Sequence, residues 1–94
     1  MAAIDKLVAR TRNNRKTVRY DDLVRVLMAA DWREVTGGTG SHQRFDAPDG
    51  SIFMTVVRPH GGDQYVNPRA VSRALTAWDA AQRRKAEDDE GRHG

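Results

Sequence analysis

His42 and Arg44 are the side chains whose types and spacing in this 94-residue sequence are best suited to chemistry. They lie two positions apart in Ser41–Asp46, which alternates like a β-strand with Phe45 on its buried side, so both would point away from the core. An imidazole can take up and release a proton near neutral pH, and a guanidinium can stabilise negative charge on a phosphate. The pair is suited to RNA cleavage in which a base removes a ribose 2′-hydroxyl proton and the oxygen attacks the adjacent phosphorus. An ordinary surface histidine is the simpler interpretation of the spacing alone.

A three-stranded sheet with two helices is predicted to position this pair. Apolar residues at helical spacing indicate a helix near 20–30, and strand composition between turn residues indicates strands over 32–36, 41–46 and 51–58. The third of these reads as a nearly continuous apolar strand, which favours the centre of the sheet. Asn67 as N-cap and Pro68 in the first turn begin a second helix, predicted to end near residue 84. The predicted fold class is α+β, in the order α-β-β-β-α with both helices on one face of an antiparallel sheet.

The excess of positive charge lies at the start of the chain. Residues 1–20 hold six Lys and Arg against one acid, whereas residues 21–82 hold six Arg against eight acids. We interpret residues 1–19 as a basic arm with a short helix over 3–12, followed by a domain over 20–82 and by a charged tail over 83–94 that is predicted to be frayed or disordered. The arm could be a solvated tail, or its cations could contact phosphate or an acidic partner. Those cations are Arg10, Arg12, Arg15 and Lys16.

Composition and motif spacing exclude several classes of protein. Without cysteine the chain can form no disulfide and no thiolate metal site, which suits a cytoplasmic protein. The longest apolar run, Ile52–Val57, is far shorter than the roughly 20 residues that span a bilayer, so no membrane association is expected. The three histidines lack metal-ligand spacing, and we therefore expect neither a metal nor another cofactor. Strands separate the two strong helices, unlike in a helix-turn-helix, so DNA alone is not an expected partner.

Three ordered features of the segment Tyr20–Trp78 resemble one family of small bacterial proteins. A helix leads into Asp31-Trp32, a Gly-rich turn ends in Gly40-Ser41-His42, and an apolar strand is followed by a Pro-His-Gly loop and a capped helix. The segment resembles the HicA family of mRNA-interferase toxins, which usually have Gly-Phe or Gly-Trp at the first position and a Gly-Ser-His signature at the second. Gln43 stands where many members have a second histidine.

The resemblance implies a double-stranded-RNA-binding-domain-like fold and ribosome-independent cleavage of mRNA. It makes His42 the catalytic histidine, with Gly40 and Ser41 shaping the approach of the RNA. It also implies a HicB-like antitoxin that inhibits the toxin by covering His42. Arg44 and the cations of the arm would then contact the RNA backbone. The alternative is a module that binds RNA or an antitoxin without cleaving.

Overall fold

The structure is a computed structural model that describes residues 2–35, 41–59 and 64–92. Its strands β1 (Arg33–Val35), β2 (His42–Asp46) and β3 (Phe53–Val57) form one antiparallel sheet in the order β1-β2-β3. The central strand is therefore β2, and the prediction that the third strand lies at the centre is wrong. Met54 and Val56 of β3 are buried, but Phe53 and Val57 are exposed. The apolar composition of β3 thus reflects an apolar outer face and not burial on both faces.

A tight turn joins β2 to β3, as the Pro and Gly residues of this segment predict. The Ala47 N–H donates to the carbonyl of Ile52 at 2.9 Å, and Gly50 adopts a positive φ of 74° that only glycine takes without strain. The Asp49 carboxylate accepts hydrogen bonds from the hydroxyl and the backbone N–H of Ser51, which lower the pKa of this carboxyl. The turn fixes the register in which Phe45 pairs with Met54.

Two helices, α2 (Tyr20–Ala29) and α3 (Pro68–Arg92), pack together on one face of the sheet. Their apolar side chains and those of the strands form one buried cluster; its largest fully buried members are Phe45, Leu23, Leu27, Leu75, Val26, Val56 and Val71. The other face of the sheet is not covered by any element among the described residues. The predicted α+β fold, with its order α-β-β-β-α, is confirmed.

The predicted N-terminal helix is present as α1 (Ala3–Asn13), and it packs against α2 and α3 through Leu7 and Val8. A 3-10 turn, Arg15–Thr17, follows it. The next residue, Val18, is buried and its carbonyl accepts a hydrogen bond from the Val66 N–H at 2.9 Å. This bond ties the entry of α2 to the entry of α3.

After the end of α2, Asp31 adopts the left-handed backbone conformation that glycine adopts most easily. Asp31 has a positive φ of 67°, and its N–H donates to Met28 at 3.0 Å, while the Trp32 N–H donates to Leu27 at 3.0 Å. These two bonds form a Schellman motif, in which the residue after the helix adopts the left-handed conformation. Leu27 and Trp32 are both buried and supply the apolar pair that accompanies this motif.

The last helix begins as predicted but ends later. The side-chain oxygen of Asn67 accepts the Arg69 N–H at 2.8 Å, which confirms the N-cap. The helix continues to Arg92, past the predicted end near residue 84, so residues 83–92 are helical where a frayed or disordered tail was expected. Segment 81–90 consists mostly of Ala, Gln, Arg, Lys and Glu, which favour helix even without burial. No helix among the described residues is both long and apolar enough to cross a membrane.

Candidate active site

His42 is the first residue of β2, and its side chain is exposed on the face of the sheet opposite the helices. The alternation expected from the sequence is present, because Phe45 is fully buried while Arg44 is exposed. The pairing with β3 includes His42, while the pairing with β1 covers Arg44–Asp46, so His42 is anchored by β3 and does not lie on a free loop. The imidazole is thus accessible to a large polar substrate.

Arg44 lies on the same face as His42 and is oriented by two neighbours. Its Nε donates to the Asp46 carboxylate at 2.8 Å, and its guanidinium lies 4.1 Å from the centroid of the Phe53 ring. Among the described residues, no acceptor forms a hydrogen bond with the two terminal nitrogens of this guanidinium. Those nitrogens can donate to a phosphate while Asp46 and Phe53 hold the group in place.

An apolar strip on β3 borders the two polar side chains. His42 pairs with Val57, and Arg44 pairs with Thr55, so these side chains share one face of the sheet. The side chains of Val57 and Phe53 are about half exposed, at 49% and 57%. This face therefore combines an imidazole, a guanidinium and apolar surface.

The remaining residues of the predicted signature lie apart from this face or outside the described residues. Gln43 points toward the helical side, where its amide donates to the carbonyl of Val35 at 2.9 Å and its oxygen accepts from Arg58 at 3.4 Å. Gln43 is therefore a structural residue and not a neighbour of the imidazole. Ser41 is half-buried, and its carbonyl accepts the Arg58 N–H at 2.8 Å. Gly40 lies outside the described residues.

Three of the four arm cations make contacts within the protein. Arg10 forms an ion pair with Asp22 at 3.2 Å, and Arg12 forms a two-point ion pair with Asp79. Arg15 donates to the hydroxyl of Ser72 at 3.0 Å. All three contacts are to helices α2 and α3, so the structure does not bring these cations together with His42 on the uncovered face.

The fourth arm cation, Lys16, lies in a groove that the sequence did not reveal. This groove of about 630 Å³ runs between β3 and the start of α3, and we call it the basic groove. It is lined by the cations Lys16, Arg58, Arg69 and Arg73 and by the half-exposed Tyr65. Among the described residues, no Asp or Glu lines it. The cations come from three separate segments of the chain. The charge count of residues 21–82 hides Arg58, Arg69 and Arg73 because that block is net acidic. The spacing of Arg69 and Arg73 by one helical turn was the available signal.

Arg58 connects the basic groove to the end of β3. Its guanidinium lies 5.1 Å from the centroid of the Tyr20 ring and 3.8 Å from the Glu34 carboxylate. The neighbouring Tyr20, followed by Glu34, raises the pKa of Arg58, which stays cationic.

A second cleft, of about 720 Å³, continues from the basic groove toward the β2–β3 turn and shares Met54, Arg69 and Arg73 with it.

No group of three His, Asp or Glu side chains that could hold a metal ion occurs in segments 2–35, 41–59 and 64–92. Of the other two histidines, His60 and His93, both lie outside the described residues.

The chain matches a model of a known protein family. The family model described as the HicA toxin of bacterial toxin-antitoxin systems matches residues 20–75, which is more than half of the chain. Neither a curated protein nor a solved structure matches the sequence.

Proposed function

The chain belongs to the HicA family of toxins of bacterial toxin–antitoxin systems, and on that premise we propose that it is a metal-independent endoribonuclease that cleaves mRNA in the cytoplasm. The observation that supports this proposal is the exposed His42 beside the partly engaged Arg44 on the uncovered face of the sheet. Such a face can receive a phosphodiester and places a proton acceptor next to it.

In the proposed reaction the neutral His42 imidazole removes the proton of a ribose 2′-hydroxyl. The 2′-oxygen then forms a bond to the adjacent phosphorus, and the bond from phosphorus to the 5′-oxygen of the next nucleotide breaks. A proton from solvent or from the imidazolium goes to the departing 5′-oxygen, which leaves a cyclic 2′,3′-phosphate and a 5′-hydroxyl. The terminal nitrogens of Arg44 donate to the phosphate oxygens, whose negative charge grows as the bond forms.

We further propose that a HicB-like antitoxin inhibits the toxin by covering this face. The apolar side chains of Phe53 and Val57 next to His42 offer surface that a partner protein can bury. An antitoxin bound there would exclude RNA from the imidazole.

Catalysis is tested with the His42→Ala variant. The matched control is His93→Ala, which also removes one histidine but near the C-terminus. His42→Ala should lower the rate of RNA cleavage by about 10² to 10⁴, the usual contribution of a general acid or base. It should also abolish growth inhibition on induced expression, and its unfolding temperature should stay near that of the wild type because the side chain is exposed. Undiminished cleavage by His42→Ala would reject the assignment. RNA binding without any strand scission by the wild type would favour the non-catalytic alternative.

A further inference from the structure

We propose that the basic groove binds the backbone of a single RNA strand and delivers it to His42. The inference rests on the proposed function and adds a binding site to it, formed by Lys16, Arg58, Tyr65, Arg69 and Arg73. Its volume of about 630 Å³ falls within the range of clefts that hold ligands.

The basic groove brings four cations together without an acid in its lining among the described residues. Lys16, Arg69 and Arg73 form no ion pair with a described acid, while Arg58 lies 3.8 Å from the carboxylate of Glu34, which does not line the groove. Arg69 and Arg73 lie one turn apart on α3, where like charges repel and destabilise the helix. A bound polyanion would relieve this repulsion, so the groove has the charge that phosphates complement.

The position of the groove connects it to the proposed catalytic face. Val57 lines the groove and is also the direct cross-strand partner of His42. Directly paired side chains on neighbouring antiparallel strands are about 5 Å apart at their Cβ atoms. A strand of RNA lying in the groove therefore needs to cross only the edge of β3 to bring a phosphodiester to the imidazole.

The aromatic lining favours a single strand over a duplex. The Tyr65 side chain is 42% exposed in the groove, so its ring is accessible to a base. Bases of single-stranded RNA can stack on aromatic rings, whereas those of a duplex are already stacked and paired. A cationic groove with an accessible ring is the arrangement by which proteins hold single strands with little sequence preference.

Binding can be measured without cleavage in the full-length His42→Ala protein by fluorescence anisotropy with a labelled single-stranded RNA oligonucleotide at several salt concentrations. Adding Arg69→Gln and Arg73→Gln should weaken binding by roughly fivefold for each lost contact at 0.1 M salt, and should lower the slope of log K against log salt by about 0.7 for each. The matched control adds Arg25→Gln and Arg83→Gln, which remove two charges from outside the groove and should change binding less than twofold.

A second variant, Tyr65→Ala, separates stacking from charge. It should weaken the binding of single-stranded RNA by about fivefold or more and leave the salt dependence of binding unchanged. The affinity for an RNA duplex should not change comparably. Equal affinities of the groove and control variants for single-stranded RNA would overturn the inference. A groove variant that loses as much affinity for the duplex as for the single strand would also overturn it. Either result leaves the test of His42 in the cleavage assay unaffected, so the two proposals can fail separately.

Discussion

His42 on the central strand and Val57 on the edge strand are direct partners across β2 and β3, on the face that no helix covers. Val57 therefore both borders the imidazole and lines the basic groove. A charge introduced there acts on bound RNA while His42 and the cations of the groove are left unsubstituted.

Val57→Glu tests this relationship. The new carboxylate should repel the phosphate at His42 and lower kcat/KM for RNA cleavage by about threefold in a water-like dielectric, and by more where RNA excludes water. Steady-state cleavage at low and high salt is the measurement, since screening should shrink the effect. Val57→Gln is the neutral control of the same shape and should leave the rate within twofold. An equal loss in both variants would assign the effect to shape instead of charge.

The two-point ion pair of Arg12 with Asp79 is expected to hold α1 against α3. Both side chains are partly exposed, at 39% and 45%, so the pair should contribute about 0.3–1 kcal/mol. A double-mutant cycle with Arg12→Ala and Asp79→Ala, followed by urea unfolding, measures this coupling. The coupling should fall in 1 M salt. Additive effects of the two substitutions on the free energy of unfolding would show that the pair does not stabilise α1. If Arg12→Ala instead lowers the salt dependence of RNA binding, Arg12 makes the phosphate contact that was expected from the sequence.

Replacing Asp31 by glycine should stabilise the protein. Asp31 holds a left-handed conformation that costs an ordinary residue about 1–2 kcal/mol, and it places a carboxylate at the negative end of α2. The flexibility of glycine in the unfolded chain offsets part of this gain. Asp31→Gly should therefore raise the free energy of unfolding by about 0.5–1 kcal/mol, measured in urea. Asp31→Asn, which removes only the charge, should give a smaller gain, and Asp31→Ala should give less than Asp31→Gly. A destabilised glycine variant would contradict the strain argument.

Local patterns in the sequence were sufficient to predict the order of helices and strands and the face of the sheet on which His42 and Arg44 lie. Phe45 in the alternating segment places His42 and Arg44 on the outer face, and Asn67-Pro68 marks the start of α3, as the structure confirms. These predictions succeed because they depend on neighbours within a few residues. The centre of the sheet was missed because an apolar strand can expose one apolar face, as Phe53 and Val57 do.

The basic groove could not be predicted, because it depends on the tertiary arrangement of distant segments. Lys16, Arg58 and Arg69 lie in three separate segments of the chain, and several acids stand between Lys16 and Arg58 in the sequence. In the same way, the arm cations Arg10 and Arg12 look free in the sequence but have acidic partners on α2 and α3. Charge counted along a chain does not give charge on a surface.

The late end of α3 gives the protein an anisotropic shape. Its extents are 53 × 30 × 19 Å and its radius of gyration is 14.2 Å, compared with about 12 Å for a compact domain of this length. Beyond Ala81 the described side chains of the helix are exposed, so the last turns project from the body as a rod. In solution the molecule should tumble faster about the axis of α3 than across it, and amide vectors along that helix should relax differently from those of the sheet.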